Sequence, residues 1–404
     1  MAHDHEDMLW RADAVEPVLR ARESALADKA TETVGIDALP GRVLAADIVA
    51  EANVPAHDHA TMDGYAFDAT DEYPLGVVDT EVFPEDDPPS IGPGEAVEIA
   101  TGAPLPPEAN AVLKREESTV ENGELSGTPL EPGTYTYERG SNVAEGEVLF
   151  EAGERVSPKD ALLLGDIGRD TVEVVEPFSV AVLATGTEIH EGRQQDLDSP
   201  MLSGLASTWG HDPTYEGSVP DEYDRVRTRI AELAAEYDVV LTTGGTSVGH
   251  KDYVVRALAD LGEVRFHRVR LRPGKPIALA TLPEQEATVF AIPGKPVGAH
   301  AITTLVARPF FTGRTDLSTV EATLQRDVTL GPEGFEYAVP MTVSAGEAMP
   351  LGHVDSELSV YERQFDPSVV SSSTRASRAD GFVLTTEDLP GGESVDVVLY
   401  PVVE

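Results

Sequence analysis

Cysteine is absent from this chain of 404 residues. Disulfide bonds, thiolate metal sites and cysteine nucleophiles are therefore excluded, and a soft metal would have to take sulfur ligands from another molecule. Long apolar runs are also missing, since no stretch approaches the roughly eighteen residues of a membrane span. The N-terminal segment MAHDHEDMLW is acidic and has no apolar signal core. These absences predict a cytoplasmic protein with no membrane partner.

Basic residues are scarce. The chain has 29 Lys and Arg against 72 Asp and Glu, and its formal net charge is −43. The lysines stand only at positions 29, 114, 159, 251, 275 and 295. Nucleic acid is not an expected partner, because a protein binds a phosphate backbone through a basic face. An acidic, lysine-poor surface suits concentrated salt, where screening weakens its self-repulsion, so we expect a halophilic source.

The apolar pattern divides the chain into regions, and the length predicts about three domains. Residues 8–30 have helical spacing, whereas residues 40–150 carry short β-branched runs separated by Pro and Gly, which is typical of a small β-domain. Residues 178–312 alternate strands with helices, which predicts a parallel sheet with helices on both faces. The segment SPMLSGLASTWG predicts a helix capped by Ser199. Short strands after residue 315 predict a second small β-domain.

A glycine-rich loop, TTGGTSVGHKDY at residues 242–253, follows a predicted strand and precedes a predicted helix. Gly244, Gly245 and Gly249 would let the backbone approach a ligand closely, and N–H groups at the helix start could hold an anion. The alternative is a tight turn without a ligand. The position favours binding, because open α/β sheets bind ligands at the carboxyl ends of their strands.

Two PGKP turns, in RLRPGKPIA (270–278) and IPGKPVGAH (292–300), place Lys275 and Lys295 beside strands. Prolines on both sides of Gly-Lys fix the backbone that presents each lysine. Residues 250–275 contain seven Arg or Lys and three acids, a local charge of +4. Because solvated faces of this chain are acidic, the stretch predicts an anion-binding cleft rather than an ordinary surface.

Three polar turns supply further candidates. HDHATMDGYAFD (57–68) contains Asp63, but its His and Asp spacing matches no standard zinc site. Asp63 suits Mg²⁺, which proteins hold by one or two carboxylates together with substrate phosphates; the alternative is a polar turn without a ligand. ATGTEI (184–189) is predicted to lie in the crevice of the glycine-rich loop, and ATGAPLP (100–106) is a similar turn in the β-domain. Either could be only a turn.

Together these motifs resemble the MoeA family, the molybdopterin molybdenumtransferases, to which the E domain of gephyrin is related. The matching segments run in the family's order over nearly the whole chain. They are MDGYAF (62–67), TGAPLP (101–106), RGSNVAEGEVL (139–149), ATGTEI (184–189), TTGGTSVGHKDY (242–253), RPGKPIA (272–278), IPGKPVGA (292–299) and TRASRADGFVL (374–384).

The resemblance implies four subdomains in an elongated homodimer. They are a helical stalk for dimerisation (1–40 and 147–177), a small β-domain (41–146), a molybdopterin-binding α/β domain (178–314) and a C-terminal β-domain (315–404). It also implies the reaction of adenylylated molybdopterin with molybdate and Mg²⁺ to give molybdenum cofactor and AMP. The active cleft would lie between the α/β domain of one subunit and the small β-domain of its partner. Anionic substrates fit the basic stretch, and the pterin dithiolene would supply the sulfur that the chain lacks.

The same resemblance implies the roles of individual residues. Asp63, Glu188 and Asp252 would be catalytic. The magnesium ligands would be Asp63, Glu188 and Asp221. The resemblance adds Thr101, Arg272, Lys275 and Ser371 as residues that bind substrate or anion, and the motifs themselves add Thr185, Gly244, Gly245, Ser247, Gly249 and Lys295.

The sequence departs from the family pattern at four positions. Lys295 stands where the family usually has Asn or Asp, Gly298 where it has Ser, and Ser141 and Asn142 where it has an acidic pair. These changes bear on oxyanion preference and on a second metal site, not on the fold. Two other functions stay open. One is a molybdopterin adenylyltransferase, whose domain resembles the α/β region, and the other is a non-catalytic scaffold or storage protein on the same fold.

Overall fold

The computed structural model describes residues 8–27, 29–245 and 253–404, and the elements given below are those of these ranges. They form two compact units. The main unit runs up to Glu32 and again from Val175 to Glu404. It includes the N-terminal helix α1 (Arg11–Ala27). The inserted unit, Thr33–Val174, lies between these two segments of the chain.

The inserted unit is built mostly from short strands. Its strands are β1 (Thr31–Gly35), β2 (Val43–Leu44), β3 (Ile48–Val49), β4 (His59–Ala60), β5 (Gly64–Phe67), β6 (Leu75–Val82), β7 (Glu95–Ile99), β8 (Ala111–Lys114), β9 (Thr119–Glu121), β10 (Glu124–Ser126), β11 (Thr136–Tyr137), β12 (Val148–Phe150) and β13 (Thr171–Val175). Its helices are α2 (Asp160–Asp166) and two 3-10 turns (Ile36–Ala38 and Arg115–Glu117). One sheet has the order β8-β5-β7-β6-β10-β9, and another has the order β1-β13-β2. The larger sheet buries Ala66 on one face and Tyr65 and Phe67 on the other, as the two-residue alternation of a strand requires.

The main unit contains a sheet of the order β15-β14-β16-β20-β19-β17. The strands of this part of the chain are β14 (Ser179–Thr185), β15 (Asp212–Val219), β16 (Val239–Thr243), β17 (Glu263–His267), β18 (Leu271–Arg272), β19 (Ala278–Leu282) and β20 (Ala287–Ile292). Strands β15, β14, β16 and β20 are parallel, whereas β19 pairs antiparallel with both β20 and β17. The prediction of a parallel sheet is therefore wrong for the edge that β19 and β17 form. Residues 283–286 are too short a connection for a parallel crossover, so β19 and β20 form a hairpin.

Helices cover both faces of this sheet, as predicted. They are α1 and α3 (Thr187–His190), α4 (Asp198–Thr208), α5 (Tyr223–Ala234), α6 (Tyr253–Leu261), α7 (Pro296–Ile302) and α8 (Arg308–Thr312), with a π-helical turn (Thr303–Ala307) between the last two. Val180 and Val182 point to the core shared with α1, α4 and α8, while Ala181 and Leu183 point to α5 and α6. No helix within the described ranges combines the length and the apolar composition that crossing a membrane requires.

The C-terminal strands close into a small barrel. They are β21 (Thr319–Leu324), β22 (Glu336–Ser344), β23 (Glu347–Pro350), β24 (Gly381–Thr385) and β25 (Ser394–Leu399). Helix α9 (Pro367–Val370) and a 3-10 turn (Thr374–Arg378) lie between β23 and β24 in the chain, and α10 (Tyr400–Val403) follows β25. Strand β22 pairs with both β23 and β24, which completes the ring. Strand β18 adds in parallel to the start of β22, with Leu271 opposite Glu336. The basic segment is thereby attached to the barrel.

Helix α1 packs in the main unit. Ala14 and Val18 are fully buried in the core that also contains Phe310, and Lys29 Nζ lies 2.8 Å from Asp238 Oδ2 beyond the end of the helix. The segment 147–174, which the resemblance joins to the N-terminal helix in one stalk, belongs to the inserted unit. The division into four subdomains stays a prediction.

Candidate functional site

The glycine-rich turn after β16 is held against the end of β14. Thr185 is buried, and its Oγ1 donates a hydrogen bond of 3.1 Å to the carbonyl oxygen of Thr243. Gly244 and Gly245 have φ angles of +87° and +65°. A Cβ atom at Gly244 would lie 2.4 Å from the carbonyl oxygen of Thr185, and one at Gly245 would lie 2.7 Å from Val254 Cγ2. Only glycine fits either position.

A cavity of about 540 Å³ opens at this carboxyl edge of the parallel strands. Seven predicted site residues line it: Thr185, Glu188, Asp221, Gly244, Gly245, Lys295 and Ser371. Its other polar residues, which the sequence analysis did not predict, are Gln194, Gln195, Asp196, Asp198 and Thr243. The volume is that of a pocket for a small organic molecule.

Two of the predicted magnesium ligands, Glu188 and Asp221, line this cavity. Glu188 lies on α3, and the backbone N–H of Asp221 donates a hydrogen bond of 3.1 Å to Thr187 Oγ1 on the same helix. Within the described residues there is no group of three or more side chains that could hold a metal ion. A pair of carboxylates still suits Mg²⁺, which usually keeps several waters and takes further ligands from substrate phosphates.

Asp198 is a buried carboxylate that the sequence analysis missed. It is 6% exposed, and its Oδ2 accepts a hydrogen bond of 2.9 Å from Thr243 Oγ1. Burial raises the pKa of Asp198 to about 6, and the neighbouring charge of Asp196 acts in the same direction. Asp198 is also the first residue of α4, and Asp196 Oδ1 accepts the backbone N–H groups of Asp198 and Ser199. The prediction that Ser199 caps this helix is therefore wrong, because Asp196 holds the free N–H groups.

The predicted basic cluster forms beside the cavity. The Arg272 guanidinium lies 4.0 Å from the centre of the Phe335 ring, and Lys275 Nζ lies 5.9 Å from it. Burial lowers the pKa of Lys275, and the nearby charges of Arg272 and Arg268 lower it further. Neither Arg272 nor Lys275 lines the cavity itself, although Gly274 and Pro276 of the same turn do. A concentration of positive charge of this kind favours an anion.

The second PGKP turn leads into α7 close to Ser371. Ser371 is 5% exposed, and its carbonyl oxygen accepts the backbone N–H of Val297 at 3.0 Å. A Cβ atom at Gly298 would lie 2.5 Å from Ser371 Oγ, so the Ser that the family usually has here would require this hydroxyl to move. Lys295 is exposed, and its Nζ donates a hydrogen bond of 3.2 Å to the carbonyl oxygen of Ser368.

Asp63 and Thr101 are brought together in the inserted unit. Asp63 Oδ1 accepts two hydrogen bonds of 2.7 Å, from the backbone N–H and from the hydroxyl of Thr101. These bonds, the backbone one first, lower the pKa of Asp63, and both residues are exposed. A Cβ atom at the following Gly64 would lie 1.9 Å from the carbonyl oxygen of Leu113, so the motif needs glycine there. The pair presents a carboxylate, oriented by Thr101, on the surface of this unit.

Three predicted site residues, Ser247, Gly249 and Asp252, lie outside the residues that the structure describes. Their assignment as substrate-binding and catalytic residues stays a prediction.

Two family models match the chain. The MoeA N-terminal region (domain I and II) matches residues 12–168, and the probable molybdopterin binding domain matches residues 181–313. The two matches lie on either side of the segment where the chain passes from the inserted unit to β14.

Curated relatives match more than two thirds of the chain. The molybdopterin molybdenumtransferase of Synechococcus elongatus is 30% identical over 318 residues, which are 72% of this chain and 78% of that protein. The enzyme of the same name from Bacillus subtilis is 31% identical over 69% of each chain. A solved structure of a molybdopterin biosynthesis MoeA protein from Pyrococcus horikoshii has a TM-score of 0.71 at 29% identity and covers 97% of this chain and 99% of its own.

Proposed function

Since the chain belongs to the molybdopterin molybdenumtransferase family and is an enzyme of molybdenum cofactor biosynthesis, we propose that it inserts molybdate into adenylylated molybdopterin and releases AMP. The observation that carries the proposal is the cavity at the carboxyl edge of β14 and β16. There the carboxylates of Glu188 and Asp221 share one pocket with the two PGKP turns. Both the oxyanion and the phosphate-bearing substrate require positive charge, and a phosphoanhydride also requires a cation-binding carboxylate.

The cavity and the basic residues beside it each have a role in this proposal. Arg272 and Lys275 attract the anionic groups, and Ser371 can donate a hydrogen bond to one of them. The backbone at Gly244 and Gly245 lets the substrate approach the strand ends closely. Glu188 and Asp221 would hold Mg²⁺, and the bound ion would offset the negative charge of the phosphoanhydride. Asp63, whose carboxylate is held by Thr101, would take part in catalysis, as the resemblance implies.

The cellular setting belongs to the same proposal. The enzyme would act in the cytoplasm as a homodimer, and its charge of −43 suits a salt-rich interior.

The test is AMP release by the purified protein from adenylylated molybdopterin, with molybdate and Mg²⁺ in excess. We expect turnover that depends on all three components. Formation of adenylylated molybdopterin from molybdopterin and ATP, with no AMP release from the adenylylated form, would instead identify an adenylyltransferase. Tight binding of the substrate without any turnover would identify a scaffold.

A further inference from the structure

The first turn of helix α7 is tied to the segment that leads into the C-terminal barrel. The backbone N–H of Val297 donates a hydrogen bond of 3.0 Å to the carbonyl oxygen of Ser371. Lys295 Nζ, just before the helix, donates one of 3.2 Å to the carbonyl oxygen of Ser368. The position of α7 therefore fixes the position of Ser371, whose hydroxyl is the group that the proposed function uses to bind an anion.

The other end of α7 is held by a side chain. His300 Nε2 donates a hydrogen bond of 2.7 Å to Glu404 Oε1, and the His300 ring packs edge-on against Tyr400, with 5.1 Å between the ring centroids. The His300 side chain is only 17% exposed. The hydrogen bond from His300 lowers the pKa of Glu404, against the opposing effect of burial. A hydrogen bond to an ionised carboxylate is roughly twice as strong as one between neutral groups.

Glu404 is a firm anchor, because the adjoining helix α10 is attached on two sides. The backbone N–H of Tyr400 donates a hydrogen bond of 3.0 Å to the carbonyl oxygen of Asp380, just before β24 of the barrel. Val403 is 1% exposed, and its carbonyl oxygen accepts a hydrogen bond of 3.3 Å from Trp209 Nε1 at the end of α4. The C-terminal region of the chain thus holds α7 at both of its ends.

The backbone is a weak support for α7 on the side of His300. The helix changes there to a π-helical turn, which begins at Thr303. The hydroxyl of Thr304 is shared between the carbonyl oxygens of His300 and Ala301, at 2.9 and 3.2 Å. Side-chain bonds of this kind bend a helix. Helix α7 has seven residues between a proline turn and this bend, so its orientation depends on side-chain contacts.

We propose that His300 is a positioning residue, which anchors α7 to Glu404 and so holds the hydroxyl of Ser371 where it binds the oxyanion. The inference rests on the proposed function, which supplies the oxyanion. His300 is not among the described residues that line the cavity, so it acts through α7 and not by contact with a substrate. Loss of the anchor should weaken oxyanion binding and leave the rate at saturating oxyanion unchanged, since the carboxylates Glu188 and Asp221 stay in place.

The experiment measures binding of molybdate alone to the full-length protein by calorimetry. His300→Phe keeps an aromatic ring against Tyr400 but removes the nitrogen that binds Glu404. The affinity for molybdate should fall about threefold to tenfold, the equivalent of one misplaced hydrogen bond. In the AMP-release assay the KM for molybdate should rise by the same factor, with kcat unchanged. His300→Gln should restore both values, because its amide nitrogen can replace Nε2 as the donor to Glu404.

Trp209→Phe is the matched control, because it removes a different hydrogen bond to α10 and leaves α7 anchored. Its affinity for molybdate should equal that of the parent. An unchanged affinity in His300→Phe, or an equal loss in Trp209→Phe, would overturn the inference.

Amide hydrogen exchange in residues 295–302 tests the anchor without any ligand. Exchange should be faster than in the parent for His300→Phe, and unchanged for His300→Gln and Trp209→Phe. Equal exchange in His300→Phe and the parent would show that His300 does not hold α7, and the inference would fail. A parent protein that binds no molybdate would instead contradict the proposed function, so the two failures are distinguishable.

Discussion

Asp198→Asn should stabilise the main unit at neutral pH. The substitution keeps the size of the side chain and the acceptor for Thr243 Oγ1, but it removes a charge that is 6% exposed. Burial raises the pKa of Asp198 from its ordinary value of 3.8 to about 6. At about 1.4 kcal/mol for each pH unit of difference, the ionised carboxylate lowers the free energy of unfolding by up to about 3 kcal/mol.

The pH dependence follows from the direction of this shift. Between about pH 4 and pH 6 the folded protein binds more protons at Asp198 than the unfolded chain does, so its stability falls as pH rises. The free energy of unfolding of Asp198→Asn minus that of the parent should therefore increase as the pH rises from about 4 to about 6 and stay constant at higher pH. Acidic groups elsewhere in the protein cancel in the difference between the two proteins.

Tryptophan fluorescence is suited to this measurement. Both tryptophans, Trp10 and Trp209, lie in the main unit, and Trp209 is 3% exposed with its ring 5.4 Å from that of Phe311. Urea titrations from about pH 4 to pH 8 at constant ionic strength would give the difference in unfolding free energy. The exposed Asp224→Asn, on α5, controls for loss of one negative charge. A difference between Asp198→Asn and the parent that does not vary with pH would refute the reasoning.

Three other predictions concern the proposed site and assembly. Lys275→Ala should weaken binding of molybdate or substrate by roughly 1.5–3 kcal/mol, measured by calorimetry, whereas the exposed Lys159→Ala should have no effect, and equal affinities would contradict the assignment. Asp63→Asn should have a free energy of unfolding within about 1 kcal/mol of the parent and should still bind substrate, but its rate of AMP release should fall by orders of magnitude. A normal rate of AMP release would mean that Asp63 is a structural residue. In concentrated salt the protein should be a homodimer, and the dimer should loosen as salt is removed. Light scattering that shows a monomer at every salt concentration would contradict this prediction.

The sequence predicted most of the α/β region because its signal is local. Continuous apolar runs such as Val180–Ala184 identify buried strands, and glycines after β16 identify a turn at their carboxyl ends. The antiparallel edge was missed, although the short connection between Leu282 and Ala287 excludes a crossover and could have revealed it. Composition alone does not distinguish a buried parallel strand from a buried hairpin.

The sequence predicted only part of the candidate site. The PGKP turns were visible because lysine is rare in this chain, and the structure places Arg272 and Lys275 on one aromatic ring, Phe335. Asp198 was not visible, because an aspartate before Ser-Pro has the pattern of an ordinary helix start. Its burial arises from the packing of α4 against Thr243, forty-five positions away in the chain.

The position of the inserted unit has a consequence for protein synthesis. Helix α1 is made first, but the residues that bury Ala14 and Val18 include Phe310, so its partner is translated only after the entire inserted unit. At about 5–20 residues per second, the helix waits roughly 15–60 seconds on the ribosome with its apolar face uncovered. The entry and exit strands of the inserted unit, β1 and β13, are neighbours in one sheet, so this unit can close on itself during the delay. A nascent chain arrested before α8 should therefore be cut by protease near α1 while the inserted unit resists.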